Sequence, residues 1–422
     1  MIRFREVLTN KNFLLLWIGQ LVSNFGDRLT QMALVALVYQ QNPGSEVALA
    51  KLISFTIIPV FVIGPIAGAW VDRLNRKHVM IISDILRGCL VLSIPFFIGI
   101  RQILPVYFVI FLTFSISRFF IPSKMAIIPD IVSKDKLLMA NSLSDTTHMI
   151  GNVVGLVVAG VIVNIRSIGA IGGFYIDSMT FFISAAFIAM IAHIGSIKEV
   201  KDEIAVTKEA IASSLRKSIA GDMVDGIKAI WQYDDMRFIV SVFFMLMAGL
   251  GAISCVIIVF VQNAFGTSTR DLGFLGTFLV TGLFLGTVLY GRFGQKAPKK
   301  KAVFAGFIAS GVFVTLFAVL VDRHPNLLTA GLISGILGVS ASPIMVSANT
   351  LTHETIPDAA RGRIFSSLEV VIHLGFLIAM FVAAYAAKYV ERAWIIIFAG
   401  FAFYVCGAAG LILEARKKPT CS

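Results

Sequence analysis

The chain has 422 residues, 57% hydrophobic and only 14% charged, with a mean hydropathy of +0.88. Soluble domains are about 45–50% apolar and about 25% charged, so this composition excludes an ordinary globular protein and indicates a chain that lives in lipid. The net charge of +12 would suggest nucleic acid in a soluble protein; here it predicts basic loops facing anionic headgroups, with no nucleic-acid partner.

Residues 1–12 carry Arg3, Arg5 and Lys11. The apolar run behind them is too long for a signal-peptide core and reads as a first membrane span. Apolar stretches of membrane-spanning length then recur, and lipid permits only helices or closed barrels. Twelve helical spans are predicted near 13–38, 47–71, 79–100, 104–127, 141–165, 168–195, 238–262, 271–291, 301–321, 326–351, 364–387 and 393–413. The fold class expected is an all-α membrane protein of two pseudo-symmetric six-helix bundles, residues 1–196 and 238–422. Between them, 197–237 opens on a mixed-charge run, Lys198 to Glu203. Ile211, Leu215, Ile219, Met223, Ile227, Ile230 and Trp231 then follow at helical spacing. That pattern predicts an amphipathic helix on the membrane face, either a plain linker or a regulatory element.

Sidedness follows from the bases. With the N-terminus inside, inner segments hold 26 Lys and Arg against 7 outside, and Arg28, Arg87 and Arg118 lie within spans. The bias places both termini in the cytoplasm. The two halves also repeat weakly. Ile128-Pro129-Asp130 recurs as Ile356-Pro357-Asp358, 228 residues on, and Gly64-x-x-x-Gly68 as Gly282-x-x-x-Gly286, 218 on. A duplicated six-helix unit is typical of transporters. Cys89, Cys255, Cys406 and Cys421 show no CxxC or metal spacing, so neither a disulfide framework nor a metal site is expected. There is no Walker motif, so ATP is not the expected energy source.

The loop between spans 2 and 3 reads Gly68-x-x-x-Asp72-Arg73-x-Asn75-Arg76-Lys77. It resembles the signature of the major facilitator superfamily, with Asn75 where that family usually has Gly. Asn tolerates a left-handed turn better than most residues. Gly26-Asp27, Asp84-x-x-Arg87, Ala140-Asn141 and Pro357-Asp-x-x-Arg361-Gly-Arg363 resemble the branch of macrolide-efflux and enterobactin-exporter-like proteins. Lysophospholipid flippases are similar in several of these places. The resemblance implies alternating access between two bundles, with helices 1, 4, 7 and 10 around a central cavity.

Charges inside spans cost at least about 2.5–3.5 kcal/mol each and are functional suspects. Asp27 in span 1 is the candidate proton-coupling group, and the resemblance makes Arg118 its partner; a static ion pair is the alternative reading. Arg28, about a quarter-turn away, pairs elsewhere on this reading. Asp84 and Arg87, at i, i+3, read as an intrahelical pair supporting the charged loop. The resemblance makes Gly68, Asp72, Arg73, Arg76, Lys77, Asp84, Arg87 and Arg363 a cytoplasmic gate, with Asp72 beside the start of span 11. Asp145 with His148 and Glu369 with His373 are two acid–histidine pairs, either polar contacts at the inner gate or a proton relay. Phe243, Phe244, Met245 and Met247 in span 7 are candidate cavity walls or plain lipid-facing packing. Asp177 and His193 read as peripheral. Gly151, Gly155 and Gly160 in span 5 predict close helix packing. They resemble an exporter-associated motif in which Leu156 replaces the usual Pro.

The function expected is secondary active transport by alternating access. Its form is proton-coupled efflux of amphipathic small molecules by a monomer in the bacterial inner membrane, with no cofactor. The alternative is a lysophospholipid flippase with lateral entry. An enzyme is not expected, because the polar loops offer no nucleophile–base set or metal cluster.

Overall fold

The computed structural model describes residues 7–71, 74–133, 136–192, 234–267, 269–294, 297–355 and 361–416. These form twelve long helices, and no strand occurs among them. In chain order they are α1 Lys11–Gln41, α2 Glu46–Val71, α3 Arg76–Gly99, α4 Ile103–Ile131, α5 Leu137–Asn164, α6 Gly169–Ala189, α7 Asp234–Phe265, α8 Arg270–Phe293, α9 Lys299–Arg323, α10 Leu327–Thr355, α11 Arg361–Ala386 and α12 Arg392–Arg416. Each coincides with an expected span, and no end differs by more than six residues. The expected amphipathic helix at 197–237 lies almost wholly outside the described residues.

Short polar residues start several helices by accepting backbone N–H groups that have no partner in the first turn. Asn10 Oδ1 accepts from the amides of Asn12 and Phe13 before α1, at 3.0 and 3.2 Å. Ser45 Oγ accepts from Ala48 before α2. Asn326 Oδ1 accepts from Leu328 and Thr329 before α10. Ten of the twelve helices are long and apolar enough to cross a membrane. In α1, Gln20, Asn24, Asp27 and Arg28 interrupt the apolar run, and in α5 the described apolar stretch is Val154–Asn164.

The chain divides into two compact units, Met1–Leu37 with Lys51–Gly221, and Val38–Ala50 with Asp222–Ser422. In the first, α3 packs against α4 and α6, with a core around Phe13, Leu16, Met80, Ile127 and Ile188. In the second, α8 packs on α10, α7 on α11, and α9 on α10 and α12. Glycines permit the closest of these approaches. A Cβ on Gly282 would stand 2.0 Å from the Gly335 carbonyl oxygen, and one on Gly286 2.7 Å from Val339 Cα. A Cβ on Gly64, the repeat partner of Gly282, would meet nothing within 4 Å. The repeated glycines therefore do different work in the two halves.

Ion pairs repeat more faithfully. Arg76 at the start of α3 pairs with Asp130 at the end of α4, at 2.6 Å. Lys299 at the start of α9 pairs with Glu354 at the end of α10. The partners are offset by 223 and 224 residues, so each unit carries the same brace between its third and fourth helices. Within the second unit, Arg392 at the start of α12 donates to the Glu46 carboxylate and, at 3.2 Å, to the Gly44 carbonyl oxygen.

Candidate functional site

The first unit carries a charge cluster drawn from α1, α3, α4 and α6, with Asp84, Arg87 and Asp177 buried. Asp84 of α3 is 0% exposed and accepts from Arg87, one turn on, which is 4% exposed. The Arg87 guanidinium lies between two rings, 4.7 Å from the centroid of Phe120 on α4 and 4.3 Å from that of Phe181 on α6. Such placement adds cation–π attraction to the ion pair. Arg87 Nε and Asp84 Oδ2 have no hydrogen-bond partner, so electrostatics and packing hold them in place. This is the intrahelical i, i+3 pair that the sequence spacing predicts, and it lies two turns inside α3, in the core of the unit.

Asp177 of α6, expected at the periphery, is 1% exposed. Thr30 of α1 donates to its Oδ2, while Thr180 donates to the Asp177 carbonyl oxygen at 2.7 Å with Oδ1 a second, longer acceptor at 3.2 Å. Gly26 is what lets this carboxyl reach α1. A Cβ there would lie 2.0 Å from Thr180 Oγ1 and 2.2 Å from Asp177 Oδ1. Gly26 and Thr30 are one turn apart, and Asp27 sits between them. Contact with Asp177 on both sides thus fixes the stretch of α1 that carries Asp27.

Asp27 is only half-buried, unlike Asp84 and Asp177. The Arg87, Arg28, His148 and Arg118 side chains stand around it. Arg28 does bond elsewhere, donating to Gln31 Oε1 at 2.7 Å. Its stem crosses Gly155 of α5, where a Cβ would stand 2.8 Å from Arg28 Cγ. The α5 glycine thus makes room for a charged side chain. Polar contacts also tie α1 to α5: Trp17 donates to Thr147 at 2.8 Å and Ser144 to Gln20 at 3.3 Å.

The bases of the loop signature brace helix ends. Arg76 donates to the Ala126 carbonyl oxygen as well as to Asp130. Lys77 Nζ donates to the Ile191 carbonyl oxygen at 2.6 Å, just past α6, where a cation also suits the helix dipole. Asn75 has φ −67° and accepts from the amides of Lys77 and His78. It is the N-cap of α3, so the expected left-handed turn does not occur there. Gly68 lies in the last turn of α2. Asp72 and Arg73 lie outside the described residues, and for Arg363 and Asp145 only the helical backbone is described.

The acid–histidine pairs look different in three dimensions. His148 is exposed. His373 Nδ1 donates to the backbone carbonyl of Glu369 at 2.8 Å, so this contact does not use the carboxylate. On α7, Phe243 is 7% exposed in the core of the second unit, and Met245 and Met247 pack against that core. Phe244 is 45% exposed, its ring lying over Gly375 of α11. His193 lies outside the described residues.

Comparison with known proteins places this architecture. The family model for the Major Facilitator Superfamily matches residues 16–253 and 238–420, nearly the whole chain. The chain belongs to the Major Facilitator Superfamily. Among superfamily members it is 22% identical to macrolide efflux protein A of Streptococcus pyogenes, over 96% of both chains. It is 24% identical to the multidrug efflux pump Tap of Mycolicibacterium fortuitum, over 83% of both. Its fold matches a bacterial homologue of the iron transporter ferroportin with a TM-score of 0.71 at 13% identity, covering 96% of this chain and 99% of that one. The protein is therefore a multi-pass membrane transporter of the superfamily, with efflux pumps among its relatives. The lysophospholipid alternative finds no support among these relatives.

Sequence pattern alone missed Asp177, Thr30 and Thr180. A faint signal exists: a threonine three residues after Asp177, and another three after Asp27, share a helix face with those acids.

Proposed function

We propose that the protein exports amphipathic small molecules by alternating access, coupled to proton entry at Asp27. One observation supports this reading. Asp27 is half-buried, whereas Asp84 and Asp177 are sealed. Asp27 stands among Arg28, Arg87 and Arg118, so its protonation leaves their charge less compensated and favours a different helix arrangement. The efflux relatives point to export and to drug-like cargo. The base asymmetry supports a bacterial inner-membrane location with both termini cytoplasmic. On this reading residues 1–196 and 238–422 move as the two halves, joined by 197–237. Asp72, Arg73 and Arg363 form the cytoplasmic latch, with Gly68 allowing close approach. The protein works as a monomer, without a cofactor or enzymatic chemistry.

The test is reconstituted transport with and without a pH gradient, offering a macrolide, a neutral dye, a siderophore and a lysophospholipid. Gradient-dependent movement of macrolide or dye is expected, and Asp27→Asn should remove the gradient dependence while the protein remains folded. Full gradient-driven activity in Asp27→Asn would exclude the coupling role. Gradient-independent movement of lysophospholipid alone would exclude the export reading.

A further inference from the structure

The second unit holds a partly open cavity of about 510 Å³ that no feature of the charge cluster explains. Protein interiors pack to crystal-like density, and voids larger than a water are few. This volume lies within the range of drug-sized ligand sites. All six helices of the unit contribute to it, through Leu250 of α7, Leu279 of α8, Phe317 of α9, Leu337 of α10, Phe376 of α11 and Ile396 of α12.

Small residues create the space. Gly276, Ala341 and three serines occupy wall positions where a leucine would reach inward. Two α7 glycines bring the aromatic walls in. A Cβ on Gly249 would lie 2.1 Å from Phe403 Cζ, and one on Gly251 2.2 Å from the Phe376 carbonyl oxygen. Both rings line the cavity, and α7 yields its own side chains so that α11 and α12 can approach.

The lining carries no charged side chain. Its three hydroxyl protons are already committed. Ser254 donates to the Gly251 carbonyl oxygen and Ser334 to that of Ala330, both at 2.8 Å. Ser340 donates to Leu337, which leaves Ser310 as the donor in the Ser310–Ser340 contact at 3.4 Å. A charged ligand would lose its hydration here with nothing in return. Phe317, Phe376 and Phe403 instead offer flat apolar faces.

We propose that this cavity is a binding site for an uncharged, ring-containing apolar molecule, held wholly within the second unit. The four α7 residues singled out by pattern, Phe243, Phe244, Met245 and Met247, do not line it; Leu246 and Leu250 do. The site stands independently of proton coupling at Asp27, because binding is measured without transport.

The test uses the full-length protein in nanodiscs and benzophenone as a neutral photoreactive probe, with adducts mapped by peptide mass spectrometry. Saturable labelling is expected at Leu275, Leu279 or Leu337, suppressed by excess diphenylmethane. Labelling of exposed apolar positions such as Phe398 should rise linearly with probe, as bilayer partition does. Leu250→Trp and Ala341→Leu, which fill the space, should each reduce interior labelling at least tenfold. 4-Carboxybenzophenone, an anion at neutral pH, should leave the interior unlabelled. Labelling confined to exposed positions would overturn the proposal. So would interior labelling unchanged in both filled variants, or equal labelling by the anion.

Discussion

Arg87→Met isolates the buried pair at the centre of the first unit. Asp84 is 0% exposed and Arg87 4% exposed, so the substitution strands a carboxylate in an apolar core. Removing one partner of a buried pair costs about 3–5 kcal/mol, and the two ring contacts add about 0.5–2 kcal/mol. A whole domain is stable by only about 5–15 kcal/mol, so the single variant should be close to unfolding at ambient temperature. Asp84→Leu combined with Arg87→Met removes both charges and refills the volume, and should recover most of the loss. Denaturation of the purified protein, followed by tryptophan fluorescence for the parent, both single variants and the double variant, gives the coupling energy directly. If Arg87→Met lies within about 1 kcal/mol of the parent, or the double variant is no better than the singles, the buried-pair reasoning fails.

Gly26→Ala places a methyl on Asp177 and Thr180, and should cost about 1–3 kcal/mol by overpacking, whereas Gly64→Ala, which meets nothing within 4 Å, should be neutral. Comparison of the two thermal midpoints decides this. Arg76→Met and Lys299→Met break half-exposed braces, and each should change stability by less than about 1 kcal/mol. A larger loss in either would show that the repeated brace matters more than exposed pairs do. Glu46→Gln removes the charge that holds Arg392, and with Glu46 4% exposed should cost about 1–3 kcal/mol. Exchange of the two residues, Glu46→Arg with Arg392→Glu, should restore part of that loss in the same assay, and no restoration would mean that the pair's geometry, not its charge, is what counts.

The surroundings of these charges come from helices that local pattern does not name. Asp84 and Arg87 form a pair that any helical wheel shows, yet their depth depends on Phe120 and Phe181 arriving from two other helices. The resemblance makes Arg76 and Lys77 gate charges, and each reaches a helix end at least 50 residues away in sequence. Asn75 stood where a glycine was expected, and it solves the start of α3 by capping and not by a left-handed turn.

Sequence by itself determined the twelve helices, the internal duplication and the superfamily. Lipid leaves the backbone no alternative to internal hydrogen bonding, so hydropathy along the chain translates directly into spans. It also singled out Asp27, because an acid within an apolar span is rare and costly. Tertiary structure alone decided which charges share that acid's surroundings. Gly26 and Gly155 owe their meaning to Asp177 and Arg28, which approach them from other helices. Contacts of that kind depend on which helix faces meet, and periodicity along one helix carries no record of its neighbour.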